Sequence, residues 1–171
     1  MSTPNRLQLS ITSDPKCLPI VRSAAERMAE LEGLGSADAH GLMLAIDEAV
    51  TNVIRHGYGG RPDQPIAIAL NAVTAKDGRR GIAVEIRDRG RQVDPRTIQG
   101  RDLDDVRPGG LGVHIIQSVM DEVTYSCPPD GGMLLRMVKY ASAPKSCSVA
   151  AAPGASNGSN GSPQRDEGRD S

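Results

Sequence analysis

The stretch DEAVTNVIRHGYGG, residues 47–60, places a carboxylate, an amide and an imidazole at four-residue steps, Glu48, Asn52 and His56, and then runs into a glycine-rich turn. On a helix such positions stand one above another. At roughly 100° per residue, Leu42, Ile46, Ala49 and Val53 fall together as a core stripe. Glu48, Asn52 and Arg55 fall opposite, with Thr51 and His56 on the flanks. Periodicity alone fits a solvated polar face as well as a site. Two further stretches bear on the choice. IRDRGR puts Asp88 at a strand end and Gly90 two residues on. A buried carboxylate there can accept from an exocyclic amine, and a glycine lets a flat ring approach the backbone. The same residues also suit an ordinary turn. PGGLGVHIIQ sets Gly109, Gly110 and Gly112 at the mouth of a helix, where free N–H groups and the helix dipole favour phosphate. Glycines there also serve as tight turns. The chain contains no GxxxxGK[ST], so it has no P-loop.

The elements that must position these residues follow from periodicity. RLQLSI alternates Leu7, Leu9 and Ile11 as a strand. Asp14-Pro15 opens a helix carrying Leu18, Val21, Ala25, Met28 and Leu31 at helical spacing, with Pro19 in or near its first turn and Gly33 and Gly35 closing it. Ser36 is the expected N-cap of the next helix, which runs to Gly57. IAIALNAV (66–73) and GIAVEIRD (81–88) alternate as strands, joined through Asp77-Gly78, a hairpin signal. A loop over 89–110, a short helix at VHIIQSVMD, a strand at EVTYSC, a turn at PPDGG and a strand at MLLRMVKY complete the order β-α-α-β-β-loop-α-β-β. Hairpin-linked strands predict a mixed, mostly antiparallel sheet with helices on one face, an α+β two-layer sandwich.

Composition bounds the function. Twenty basic and twenty-one acidic side chains leave a formal charge of -1, which argues against a nucleic-acid surface. With no Phe or Trp and three Tyr, base-stacking platforms are not expected. No apolar run is long enough for a membrane span, and MSTPNRLQLS lacks a signal-peptide core. Three scattered cysteines, Cys17, Cys127 and Cys147, fit neither a disulfide framework nor zinc knuckles. A cytoplasmic setting is expected. Residues 141–171, dominated by small and polar residues, read as a disordered tail behind a domain spanning 1–140.

In order and spacing the three motifs resemble the GHKL (Bergerat-type) ATP-binding superfamily of gyrase, MutL and histidine kinases, and within it the bacterial anti-sigma-factor serine kinases. EAVTNVIRHGY is similar to that branch's N box, RDRGRQVDP to its first glycine box and GGLGVHIIQSVMDEVTY to its second. The resemblance covers about residues 5–140. It implies that Glu48 is the general base for the attacking hydroxyl and that Asn52 holds Mg²⁺ against the phosphates of ATP. It implies that Asp88 reads adenine with Gly90 as its companion. Gly110 and Gly112 match the phosphate-side glycines, and Leu111 and Val113 fall in the same nucleotide-binding box. Thr51 and His56 take supporting roles. Gln92 departs from the pattern, which often has a second glycine there.

The resemblance therefore implies a serine/threonine kinase, as a homodimer, that phosphorylates a STAS-type anti-sigma-factor antagonist and sequesters a sigma factor. A second reading is a nucleotide-gated binder that catalyses nothing; the pairing of Glu48 with Asn52 argues against it, since a binder needs no base. A histidine-kinase domain would need an upstream helix pair presenting an acceptor histidine, and only His40 precedes the N box. A gyrase-type ATPase would need a following transducer domain.

Overall fold

The computed structural model describes residues 5–98 and 111–142. Its elements are β1 (Arg6–Thr12), α1 (Leu18–Leu31), α2 (Ser36–Asn52), β2 (Pro65–Thr74), β3 (Arg80–Asp88), α3 (Leu111–Val119), β4 (Glu122–Ser126) and β5 (Leu134–Tyr140). This is the element order read from the sequence. The strands form one sheet in the order β1-β2-β3-β5-β4. Every pairing among the described residues is antiparallel. The sheet expected to be mixed and mostly antiparallel thus has no parallel pair among them.

Period-two alternation builds the inner face of the sheet. Leu9 pairs with Ile68, Ile68 with Ile86 and Leu70 with Val84, and Val84 with Met137. These side chains meet Val21, Ala25, Leu42, Ile46 and Val50 of the helices in one core, while Glu85, Arg87 and Arg136 alternate onto the other face. Full burial of an aliphatic side chain is worth about 1.5–3 kcal/mol, so this one-sided stripe is what holds the helix layer on the sheet. The α+β two-layer sandwich expected from the sequence is the fold observed. Asp88 shares the inner parity of β3 with Ile82, Val84 and Ile86 and pairs with Ile66, so the last residue of the strand points toward the helix layer.

Three local expectations change. Asp14 caps a short 3-10 turn, Pro15–Cys17, accepting from the Lys16 N–H at 2.9 Å, and the α-helix begins only at Leu18. Leu31, placed in the core by spacing, is 66% exposed, because the last turn of α1 presents Met28 and Ala29 to the core instead. Gly35, not Ser36, holds the N-cap position of α2, and no side chain caps it.

Ala141 donates its N–H to the Arg80 carbonyl at 2.8 Å. Ser142 donates through its backbone N–H and its Oγ to the two oxygens of Asp38, each at 2.8 Å. Ordered contacts therefore extend through Ser142, past the expected edge at residue 140. Residues 143–171, the bulk of the expected tail and home of Cys147, lie outside the described residues.

Candidate active site

The polar face of α2 is set by its opposite face. Leu42, Ala45, Ile46, Ala49 and Val50 are buried, which leaves Glu48, Thr51 and Asn52 half-buried along the edge of the helix and Arg55 and His56 exposed beyond it. Two small-residue contacts bring α3 against that edge. A Cβ added at Gly41 would meet Val119 Cβ at 3.4 Å, and one added at Gly112 would meet Glu48 Oε2 at 2.6 Å and Asn52 Nδ2 at 3.3 Å. Position 41 thus faces 119, and 48 faces 112. The two helices run antiparallel, with the N-terminal turn of α3 over Glu48 and Asn52. Any side chain at position 112 would fill the space those two groups face. Leu111 opens α3 at 63% exposure, and Val113 is half-buried. Gly109 and Gly110 lie outside the described residues.

The expected α-helix to Gly57 ends early. The α-helical pattern stops at Asn52, and Val53–Gly57 continue as a wider π-turn. The N–H of Tyr58 reaches back to the Val53 carbonyl at 2.9 Å, and that of Gly60 to the Ile54 carbonyl at 2.7 Å. Gly59 and Gly60 lie at φ +64° and +83°, the left-handed region that lets the chain leave the helix axis. Turns of this width cluster at functional sites.

This turn meets the end of β3. Gly90 sits so close to Gly57 that an added Cβ would lie 2.5 Å from the Gly57 carbonyl oxygen. The glycine at 90 is therefore required by backbone-on-backbone contact, a reason that the sequence reading of an approaching flat ring did not contain. The Arg91 N–H donates to the same Gly57 carbonyl at 3.2 Å. Asp88 is 3% exposed. Its Oδ1 accepts from the Gly90 N–H at 2.7 Å and the Met133 N–H at 3.4 Å. Both bonds found among the described residues thus fall on one oxygen, and Oδ2 is the atom left to take a further donor. Burial raises the Asp88 pKa, and the N–H groups of Gly90 and Met133 only partly counter it. A buried setting around one directed acceptor is what reading a small amine requires.

Residues that motif reading passed over hold this carboxylate in place. Arg87 reaches the Asp88 carbonyl, the Gly131 carbonyl at 2.5 Å and Asp130 Oδ1 at 2.8 Å, tying the strand end to the β4–β5 turn. Gly132, at φ +67°, lies against the Asp88 carbonyl with no room for a Cβ. Gln92 donates from Nε2 to the Pro128 carbonyl at 2.9 Å, so the residue that replaces a second glycine ties its loop to the same turn. Cys127 and Met133 flank that loop through contacts to Val93. Outward-facing Arg87, at inner-parity-plus-one on β3, was the available signal for the strand-to-turn tie.

The site is thus two clusters along α2 and the π-turn that follows it: Glu48 and Asn52 under Gly112 of α3, and Asp88 and Gly90 at the end of β3 against Gly57. The chain matches the histidine kinase-like ATPase domain over residues 11–139, most of its length. It belongs to that family. Among curated relatives, the serine-protein kinase RsbW of Listeria monocytogenes serotype 4a (strain HCC23) is 24% identical over 140 residues, 80% of this chain and 87% of its own length. The serine-protein kinase RsbW of Staphylococcus epidermidis is 26% identical over 147 residues, 81% of this chain and 89% of its own.

Two solved structures share the fold. The SiaB–SiaC complex from Pseudomonas aeruginosa superposes with a TM-score of 0.57 at 16% identity, over 77% of this chain and 88% of that one. The RsbU and RsbW domains of a Mycobacterium tuberculosis protein superpose at 0.55 and 19% identity, over 81% of this chain but 34% of that longer one. No described helix of this ATPase-family chain is long and apolar enough to cross a membrane.

Proposed function

We propose that this chain is an ATP-dependent serine/threonine protein kinase and anti-sigma factor, which phosphorylates a STAS-type antagonist and sequesters a sigma factor in its alternative partner state. The observation that carries the reading is the placement of Gly112 directly over Glu48 and Asn52. A helix N-terminus lies against a carboxylate and an amide, at an approach that a missing side chain permits. The relatives named as serine-protein kinases support the same reading.

The residues fit Mg-ATP. Asp88 Oδ2 would accept the adenine amine, with Gly90 beside it. The α3 entry, Leu111, Gly112 and Val113, would face the phosphates with its free N–H groups. Asn52 would offer its amide oxygen to Mg²⁺, a hard ion that takes few protein ligands and keeps waters and phosphate oxygens. Bound there, Mg²⁺ supplies charge neutralisation and alignment of the phosphate oxygens. Glu48 accepts the proton of the incoming serine hydroxyl as the new O–P bond forms, and ADP departs. Phosphoryl transfer is mostly positioning and charge neutralisation, so one base on a rigid helix suffices. The phosphate left on the antagonist carries about −1.5 to −2 charges and weakens its complex with the kinase. A switch between two partners suits a cytoplasmic homodimer.

The test is transfer of labelled γ-phosphate to the serine of a STAS-type antagonist, with ATP affinity measured alongside. Glu48→Gln keeps shape and hydrogen-bonding reach but removes basicity. It should bind ATP as wild type does and slow transfer about 10²- to 10⁴-fold, near the low end for a loose transition state. Asn52→Ala should lose productive ATP binding and transfer together. Wild type that sequesters a sigma factor yet transfers no phosphate would replace the kinase with a nucleotide-gated binder.

A further inference from the structure

Tyr58 is one of three tyrosines in a chain with no Phe or Trp, and it is 3% exposed. A buried phenol must place its hydroxyl. Here the hydroxyl donates to the Pro65 carbonyl at 2.6 Å and accepts from the Arg89 N–H at 2.7 Å. One side-chain atom therefore joins the residue that follows the π-turn, the first residue of β2 and the residue immediately after Asp88. Burial raises the hydroxyl's pKa, so it stays protonated and able to donate throughout the neutral range.

Its effect on Asp88 is geometric. The Asp88 carboxylate is aimed by the Gly90 N–H, two residues along. Between them stands Arg89, exposed and with its backbone N–H held by Tyr58. On the other side of the same turn, Arg91 bonds the Gly57 carbonyl. Without the bond to Arg89, the middle of the turn that orients Asp88 Oδ1 loses its tie to the helix side, leaving the Met133 and Arg87 bonds at Asp88 itself and the Arg91 bond at the far end. The same residue sits one position beyond the π-turn that prolongs the Asn52 helix, on the side away from Glu48 along the chain.

We propose that the Tyr58 hydroxyl is a positioning group for base recognition, setting the direction in which Asp88 presents Oδ2 and thereby the preference for adenine over guanine. The proposal rests on the reading of this cleft as an ATP site. Tyr58 touches no reacting atom, so its loss alters which base is held and how tightly, while the chemical step at saturating nucleotide is unchanged.

The experiment uses the full chain and three variants: Tyr58→Phe, Asp88→Asn and the double substitution. ATP and GTP affinities are measured by calorimetry with Mg²⁺ present, and amide hydrogen exchange is followed without nucleotide. Tyr58→Phe should weaken ATP about 5- to 30-fold, the loss expected for one buried, well-made hydrogen-bond link, and leave GTP within about twofold, so that base discrimination falls by nearly the whole factor. In the Asp88→Asn background the second substitution should change ATP affinity less than about twofold, the non-additivity expected of a residue acting through another. The Arg89 and Gly90 amides should exchange faster in the Tyr58→Phe protein. If the phenylalanine variant does not fold, 3-fluorotyrosine at position 58, whose oxygen is a weaker acceptor, should shift discrimination in the same direction. Equal loss for ATP and GTP, or additivity with Asp88→Asn, overturns the proposal and makes Tyr58 a packing residue. Wild type that binds neither nucleotide overturns the ATP reading and the proposal with it. Wild type that binds ATP beside a Tyr58→Phe protein that binds it equally well removes only the role of Tyr58.

Discussion

Replacing Asp88 with asparagine should separate binding from folding in opposite directions. Oδ1 already faces the N–H groups of Gly90 and Met133, so the asparagine carbonyl will take that place and its NH₂ will take the place of Oδ2. A donor then faces the adenine amine, which is also a donor. Loss of a hydrogen bond to a charged group is worth about 1.5–3 kcal/mol, or about 10- to 150-fold in affinity. ATP at about a hundred times its dissociation constant should stabilise wild type by about 2.7 kcal/mol, and a hundredfold weaker binder by only about 0.4 kcal/mol at the same concentration. At roughly 3–5 °C per kcal/mol for a domain of this size, the ATP-induced rise in Tm falls from about 10 °C to 1–2 °C.

The protein without ligand should move the other way. Burial raises the Asp88 pKa above its ordinary 3.8, so the folded chain holds that proton more readily than the unfolded one. The stability this group contributes is full below 3.8 and is lost as pH rises through the raised value. Asparagine carries no such charge, so Asp88→Asn without ligand should be at least as stable as wild type at pH 7. Thermal melts with and without Mg-ATP check both halves. A full ATP shift in the variant would refute the assignment of the pocket; a collapsed melt without ligand would show that the carboxylate serves the fold.

Gly112→Ala should retain its fold, because the added Cβ meets the mobile end of Glu48 at 2.6 Å, and alanine favours a helix over glycine by about 0.5–1 kcal/mol. Phosphate transfer should nevertheless fall well below wild type, and transfer at the wild-type rate with an unchanged melt would place Glu48 elsewhere in the chemistry. Asp38 is pushed up by burial, but its bonds from Ser142 and the Lys139 ammonium bring its pKa below the ordinary value. Its contribution is therefore present above 3.8 and lost as pH falls through the lowered value. Chemical-denaturation curves for Asp38→Asn and wild type should differ by a constant amount from pH 7 to about 5 and converge in stronger acid; a gap that widens in acid would contradict the clasp. A chain ending at Ala143 should melt and bind ATP as the full chain does, since the composition beyond it offers the core little. One ending at Tyr140 should melt lower, having lost the three hydrogen bonds made by Ala141 and Ser142.

What the sequence determined by itself was whatever depends on local repetition. Period-two alternation placed the first three strands, 3.6-residue spacing placed the first two helices, and Asp77-Gly78 marked its hairpin. Glu48, Asn52, Asp88 and Gly112 stood out because unusual groups interrupt those patterns at motif spacing. The sequence placed Asp88 at the end of a strand, and its direction toward the helix layer was seen only in the sheet register. Other features depended on residues far apart in the chain. The exposure of Leu31 was decided by which turn of α1 meets the core, and the widening of α2 into a π-turn by the need to deliver Gly57 to Gly90. Gly41 and Gly112, seventy-one positions apart (112 − 41), look like unrelated small residues until α3 lies antiparallel on α2. The Arg87 tie, the Tyr58 hydroxyl and the Asp38–Ser142 clasp each join segments that share no local pattern. Propensity and periodicity are sums over neighbours in sequence, whereas a directed hydrogen bond or a missing Cβ has meaning only against a partner that folding brings into reach.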